Sequence, residues 1–350
     1  MSLQNQFSKF DEKIRLTWQN SKLQEIREKD ESIKEDIKAA FKDKGYSFIK
    51  FFQQGSYATH TCIEPENEDD DYDIDVGVVI DSENAPDNPV DVKKTLRDVL
   101  VNRGLKNPKI KMPCVTAQYY KEGEKRFHLD YPVYKVNHGS YYHAIGKEFS
   151  DEKSRKWESS DPEGLIDWVN DKLAVGGEEK YSQYKRLIRY LKRWRNYCIT
   201  GVERKQIYSI GLTVMIRESF NSCISVDGEF NDLESLKNTV ATILNNCYFS
   251  CYHFDANNNP QYDVVVYLPV IPKLDIFFKH GRTLGTFFHD KLTLLKKNLQ
   301  KADDEVTLKK KCQILADDVF GDDFPIPEDN SKSSNIKFKE SGFIASPQGA

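Results

Sequence analysis

The run YDIDVGVVI, residues 72 to 80, constrains this chain more than any other stretch. Its β-branched residues Ile74, Val76, Val78, Val79 and Ile80 form a short apolar segment that reads as a buried strand. Successive side chains along a strand alternate faces, so Asp73 and Asp75 project to one side while Ile74 points into the core. Two carboxylates on one face make a site for a divalent cation. A third acid, Asp130, lies 55 residues after Asp75 in RFHLDYPVYKV, itself strand-like. Delivered from a neighbouring strand, it completes a two-metal clamp for in-line attack on a phosphoryl group.

Phosphate chemistry also needs a cradle, and Gly55 and Ser56 in FFQQGSYATHT supply a candidate. Without a side chain at Gly55 the backbone can approach phosphate oxygens, and the amides of a following helix plus the Ser56 hydroxyl can donate to them. A Gly-Ser pair alone is common in loops, a D-x-D is more often a solvated turn, and a lone strand-end acid is ordinary. The order of the parts is what carries weight: apolar strand, Gly-Ser, acidic run, D-I-D opening a second strand, then h-x-D-h on another. Asp69, Asp70 and Asp71 precede the D-I-D and read as solvated surface.

At 350 residues the chain exceeds the size at which one core stops growing, roughly 250 to 300 residues, so two lobes are expected. Hydrophobic residues at 39% and charged residues at 30% suit a globular protein, and the net charge of −4 excludes a coat of basic charge for nonspecific nucleic-acid binding. Apolar positions from Phe10 to about Lys44, Trp18 and Leu23 among them, recur at helical spacing and predict one N-terminal helix ended by Gly45. A helix over 91–105 with Gly104 as cap follows, then two strands around the turn KEGEK. After residue 150 the texture turns helical, through DPEGLIDWVNDKL, YSQYKRLIRYLKRWRNYC, IYSIGLTVMIRESF, LESLKNTVATILNNCYF and the long run 289–320. The expected architecture is α+β: a catalytic lobe with a mixed sheet over 1–155, a helical lobe over 156–324 and a Ser-, Pro- and Gly-rich tail over 325–350. The seven cysteines, Cys62, Cys114, Cys198, Cys223, Cys247, Cys251 and Cys312, show no metal spacing and read as reduced, mostly buried thiols. With no apolar run long enough to span a bilayer and a charged N-terminus, the expectation is a cytoplasmic protein without a membrane partner.

Taken together, QGSYATHTCIEP, DIDV and HLDYPV resemble the bacterial CD-NTases, relatives of cyclic GMP-AMP synthase and oligoadenylate synthase in the polymerase-β-like nucleotidyltransferase superfamily. The resemblance extends to SSDPEGLIDWV, RLIRYLKRWRN and IYSIGLTVMI, and so covers roughly residues 10 to 320. It implies a Mg²⁺-dependent enzyme with two ions, Mn²⁺ able to substitute, held by Asp73, Asp75 and Asp130. Nucleoside triphosphates, ATP among them, would be joined into a cyclic di- or oligonucleotide in anti-phage (CBASS) signalling. It also implies that a Lys and a Ser of the helical lobe grip the triphosphate, and these positions match Lys192 and Ser209. One departure is the spacer of 16 residues between Ser56 and Asp73, longer than in the shortest superfamily members. Some members have their C-terminus joined to other molecules by a ubiquitin-like conjugation partner, and the end SPQGA, with Gly349 and Ala350, is compatible with that.

The basic run Lys185, Arg186, Arg189, Lys192, Arg193, Arg195, Arg204 and Lys205 reads mainly as the polar face of an amphipathic helix. Arg189, Lys192 and Arg193 are spaced to reach one anionic group. His128, two positions before Asp130, can tune the acids or simply pack, and Tyr57 and Tyr208 are candidates for stacking on a base. Two rival functions stand beside the synthase. One keeps the metal chemistry but transfers to RNA 3′ ends or a protein hydroxyl; the other is a catalytically silent nucleotide-binding protein. No RNA-binding module is identifiable, so no stable nucleic-acid partner is expected. Base choice, linkage and ring size depend on pocket walls that no sequence pattern reveals.

Overall fold

The computed structural model describes residues 2–17, 21–66, 72–121, 124–225 and 227–328, without the side chains of 21–23, 72, 121 and 124–126. Trp18, the side chain of Leu23, Asp69 to Asp71, the centre of the KEGEK turn and the tail residues 329–350 lie outside this description.

The N-terminal helical pattern is two helices, not one: α1 (Leu3–Ile14) and α2 (Ser21–Asp43). The helix stops at residue 14 because the chain there finds other partners. Glu64 N donates to Ile14 O at 2.8 Å, Leu16 N to Cys62 O at 3.3 Å, and Arg15 bridges Ile63. Phe7, Phe10 and Ile14 of α1 are fully buried in the core of the helical region, while Ile26, Ile33, Ile37 and Phe41 of α2 belong to the core under the sheet.

Then come β1 (Phe48–Gln53), the single turn α3 (Gly55–Ala58), β2 (Tyr72–Asp81) and α4 (Pro89–Asn102). Helix α4 begins where Asn88 Oδ1 accepts from Val90 N with Pro89 in the first turn, and Gly104, at φ +72°, follows its end. Strands β3 (Lys106–Ile110), β4 (Val115–Lys121), β5 (Glu124–Tyr131), β6 (Val133–Asn137), β7 (Ser140–Ile145) and β8 (Lys156–Ser160) complete the sheet. RFHLDYPVYKV is thus two strands divided at Pro132, which has no amide hydrogen for a ladder. The sheet runs β3-β4-β5-β2-β6-β7-β8, with β1 also on β2, and is mixed: β2 is parallel to β5 and β6, the other pairs antiparallel.

The remainder is helical: α5 (Pro162–Asn170), capped by Asp161, α6 (Glu178–Cys198), α7 (Gly201–Gln206), α8 (Ser209–Ser219) and α9 (Asp232–Asn245). A hairpin of β9 (Phe249–Phe254) and β10 (Pro260–Val264) interrupts it before α10 (Gly281–Asp304) and α11 (Leu308–Leu315). The run 289–320 is therefore broken, because Thr307 caps a new helix by accepting from Lys310 N.

The basic run overturns its reading as a solvated face: Lys185, Arg186, Arg189, Lys192 and Arg193 are all buried. Their charges are met internally. Arg186 holds the buried Asp232 through two bonds of 2.6 and 2.8 Å, and Arg189 holds the buried Asp11 at 2.6 and 2.9 Å. Of the seven free cysteines, Cys114 and Cys312 are buried while Cys247 and Cys251 are exposed. No helix among the described residues is long and apolar enough to cross a membrane.

Candidate active site

The sheet register sets the three acids. Asp75 on β2 lies opposite Asp130 on β5, and Asp73 lies opposite His128. Residues paired across neighbouring strands point to the same face, so Asp73, Asp75, His128 and Asp130 share one side of the sheet, joined by Thr116 of β4 opposite Asp130. The alternation also sends Ile74, 3% exposed, into the opposite core.

The two central acids sit in opposed electrostatic environments. Burial, then the charges of Asp130 and Asp73, push the Asp75 carboxyl up to about 7. Burial also acts upward on Asp130, but hydrogen bonds from His128 and Thr116 and the charge of Lys111 outweigh it, and the net direction is down. His128 Nε2 stands 3.1 Å and Lys111 Nζ 3.7 Å from Asp130 Oδ1. His128 therefore does touch Asp130, one of the two roles open to it from the sequence.

Gly55 explains why the turn needs glycine. Its φ is +62°, and a Cβ there would stand 2.1 Å from Asp75 Oδ2. The missing side chain makes room for the carboxylate as well as for any phosphate. Gln54 N donates to Asp75 O at 2.9 Å, tying the turn to β2 beside the acid. Ser56 Oγ lies 3.1 Å from Cys62 Sγ, and Thr61 N donates to Ser56 O at 2.9 Å.

Helix α6 holds this turn from behind. Lys185 Nζ donates to Thr59 O at 2.8 Å, Arg189 Nη1 to His60 O at 3.1 Å, Lys192 Nζ to Thr61 O at 3.0 Å and Arg193 Nη2 to Glu64 O at 2.8 Å. Four cations of one helix thus reach carbonyls of the segment following the Gly-Ser pair, rather than converging on one anion as their spacing suggested. Burial pulls Lys192 down to about 8 and, with the charges of Arg189, Lys192 and Arg217, pulls Lys185 down to about 7.

Gly55, Ser56, Asp73, Asp75, Lys192 and Ser209 line one cavity of about 430 Å³ between sheet and helices. Asp130 is not on that wall; it backs Asp75 through the register. A second cavity of about 190 Å³ shares Ser56, Asp73, Lys192 and Ser209 and adds Arg195 and Arg204. Arg195, which the sequence placed in the basic run but not among the nucleotide-binding candidates, lies one turn after Lys192, and its Nη1 donates to Ser209 Oγ at 2.7 Å and to Ile207 O at 3.0 Å. With that oxygen accepting from Arg195, the Ser209 hydroxyl hydrogen is left to point at an incoming acceptor. Of the stacking candidates, Tyr57 is buried, and Tyr208 stacks on Phe277 with centroids 5.9 Å apart.

Among the described residues no group of three or more His, Cys, Asp or Glu side chains is drawn together as a ready-made metal cage. The donor chemistry nevertheless fits a hard divalent cation: the candidate donors are all carboxylate oxygens, and the Asp75 charge is disfavoured by burial and by two neighbouring acids. A cation would reverse both effects.

Residues 1–172 match the Second Messenger Oligonucleotide or Dinucleotide Synthetase domain family. A curated cyclic GMP-AMP synthase of Escherichia albertii is 29% identical over 207 residues; the match covers 57% of this chain and 43% of that protein, less than half its length. Among solved structures, Vibrio cholerae DncV cyclic AMP-GMP synthase superposes with a TM-score of 0.59 at 18% identity, over 93% of this chain and 82% of that one. CdnC of E. coli MS115-1, solved with ATP, gives 0.62 at 14% identity over 92% and 98%, and in complex with HORMA-deltaN it gives 0.63 at 15% over the same shares. At such identities these structures speak for the fold alone: a mixed sheet joined to a helical region, as in those chains.

Proposed function

Because this chain belongs to the CD-NTase family of second-messenger oligonucleotide or dinucleotide synthetases, we propose that it joins nucleoside triphosphates into a cyclic di- or oligonucleotide. In each step a ribose hydroxyl attacks the α-phosphorus of another nucleotide. The new O–P bond forms as the bond to the β-phosphate oxygen breaks, pyrophosphate leaves, and the hydroxyl proton passes to solvent. The observation that carries this reading is the register of Asp75 against Asp130, with Asp73 on the same face and the Gly55–Ser56 turn seated on Asp75.

In this reading Asp73, Asp75 and Asp130 hold two Mg²⁺ ions, with Mn²⁺ as a substitute. Such ions supply charge neutralisation at the phosphoryl group and acidify the attacking hydroxyl. The chain's own part is binding and orientation. Ser56 and Ser209 donate hydroxyl hydrogen bonds to the triphosphate, Lys192 adds charge at the seam of the two cavities, and Arg195 fixes the direction of the Ser209 hydroxyl. Helix α6 keeps the phosphate turn from shifting as charge develops. ATP among the substrates is supported by the CdnC structure that holds it, and a protein partner by the one with HORMA-deltaN. A role in anti-phage defence in the cytoplasm, and a division into lobes 1–155 and 156–324 with a tail from 325, belong to the same proposal.

The test is incubation with labelled triphosphates and Mg²⁺, alone and with RNA or protein added. The reading requires pyrophosphate release and a phosphatase-resistant product from triphosphates alone. Label found only on RNA or protein, or no release with Mg²⁺ or Mn²⁺, would replace it with one of the rivals.

A further inference from the structure

The floor of the cleft continues past the acids into a second region. Tyr134 on β6 lies opposite Val79 of β2 and, on its other side, opposite His143 of β7; His143 in turn lies opposite Glu158 of β8. Asp73, Asp75 and Val79 alternate to one face of β2, so this row shares the face of the acids. All three residues line the cavity that holds Asp73 and Asp75.

The row has the build of a base-binding floor. The His143 ring stacks on Tyr134 at 4.7 Å and 26°, and its Nε2 bonds Pro113 O at 2.5 Å. The Tyr134 hydroxyl is held by Gln54 Nε2 at 2.9 Å. The Tyr134 hydroxyl and the His143 Nε2 are thus both engaged, which fixes the two rings. The same cavity is also lined by apolar side chains, among them Ile166 of α5, Ile210 of α8 and Ile271 of the segment after β10. Two stacked rings and apolar side chains on one stretch of the wall, with polar groups along the rest of the lining, suit a flat heteroaromatic ring.

Glu158 lines this cavity next to His143, its partner in the sheet register. Its carboxylate meets Lys156 Nζ at 2.7 Å, a pairing open to water on both sides and worth little there. An ionised carboxylate only accepts, through two oxygens. Guanine is the base whose edge offers two adjacent donors, N1–H and the 2-amino group, and so meets both oxygens. Adenine and cytosine place a ring-nitrogen lone pair beside their amino donor, against the second oxygen. Uracil flanks its one N–H with carbonyls. We propose that Glu158 selects guanine, so that one nucleotide joined by this chain is GTP. This rests on the synthase reading and adds to it the identity of a substrate.

The test uses the full chain and its Glu158→Gln variant with an equimolar mixture of ATP, GTP, CTP and UTP. Wild-type product should contain guanine. Glu158→Gln keeps the shape but presents one acceptor and one donor, the complement of adenine. It should raise the KM for GTP roughly ten- to a hundredfold and move product composition from guanine towards adenine, with an unchanged thermal midpoint. A merely structural role for Glu158 would not exchange one base for the other. Wild-type products without guanine, or unchanged composition in the variant, would overturn the proposal. If no triphosphate is turned over, the synthase reading fails separately. Calorimetric binding of non-hydrolysable GTP and ATP analogues then still decides the base preference, and equal affinities would refute it.

Discussion

Lys192 Nζ donates to both the carbonyl and the hydroxyl of Thr61, each at 3.0 Å. The residue matched to the triphosphate grip is therefore also a clamp on the segment that carries Ser56, since Thr61 N donates back to Ser56 O. Lys192→Ala should weaken triphosphate binding by roughly ten- to a hundredfold, the scale of losing a charged hydrogen bond of about 1.5 to 3 kcal/mol. Ser56→Ala should act in the same direction and less, and neither should abolish metal affinity. Calorimetric titration of nucleotide measures both; unchanged affinity in Lys192→Ala would leave the lysine with the clamp alone.

Asp75→Asn and Asp73→Asn remove ligand charge without changing shape. Pyrophosphate release should fall by about a hundredfold or more, the scale of removing an electrostatic stabiliser from a reaction centre, while circular dichroism and the thermal midpoint stay near wild type. For Asp75 the fold is expected to tolerate the change well, because its charge is disfavoured by burial and by Asp130 and Asp73. Near-normal turnover in folded Asp75→Asn would end the assignment of the acids.

Gly55→Ala would drive a methyl group to 2.1 Å from Asp75 Oδ2. Gly45, at φ +76°, has nothing within 4 Å of the same added atom. Both substitutions carry the left-handed backbone strain of roughly 1 to 2 kcal/mol, and only Gly55→Ala should also abolish turnover. Comparing the two by melting and by pyrophosphate release separates strain from displacement of the acid. Equal activity in both variants would contradict the seating of the turn on Asp75.

Much of this site was legible because its logic is local. The alternation of Asp73, Ile74 and Asp75 needs nothing beyond the strand, and Asp130 announces itself in an apolar run. The basic run was misjudged for the opposite reason. Spacing along α6 shows which cations share a face, but not that the carbonyls of Thr59, His60, Thr61 and Glu64 and the carboxylates of Asp11 and Asp232 wait there to take them inside. The break after Ile14 depends on residues 62 to 64, distant in sequence. Strands β3, β7 and β8 went unread because KNPKI, SYYHAI and KWESS carry a proline or little apolar alternation and are strands chiefly by partnership. Glu158, at the end of such a strand row, was invisible for the same reason.

Lys185 gives a pH signature. Its ammonium donates to Thr59 O, Val169 O and Asn170 Oδ1, and it is surrounded by Arg189, Lys192 and Arg217. Its folded pKa of about 7 lies below the unfolded value of 10.5. Between these values the unfolded chain binds the extra proton, so this residue makes stability rise with pH, by at most about 1.4 kcal/mol per unit. Its burial cost is full below pH 7 and gone above the unfolded value. Denaturant melts of wild type and Lys185→Met at pH 6.5, 7.5 and 8.5 should show wild type gaining on the variant as pH rises; a constant difference would mean that Lys185 keeps an ordinary pKa.

The most direct measurement of the central claim is the mass spectrum of the product formed from the four nucleoside triphosphates with Mg²⁺. A cyclic product has the summed mass of its nucleoside monophosphate units less one water per phosphodiester link, with no terminal phosphate. The account predicts such a species from wild type and none from Asp75→Asn. A product with a 5′-triphosphate that never closes, label only on an added macromolecule, or the same cyclic species from folded Asp75→Asn would contradict it.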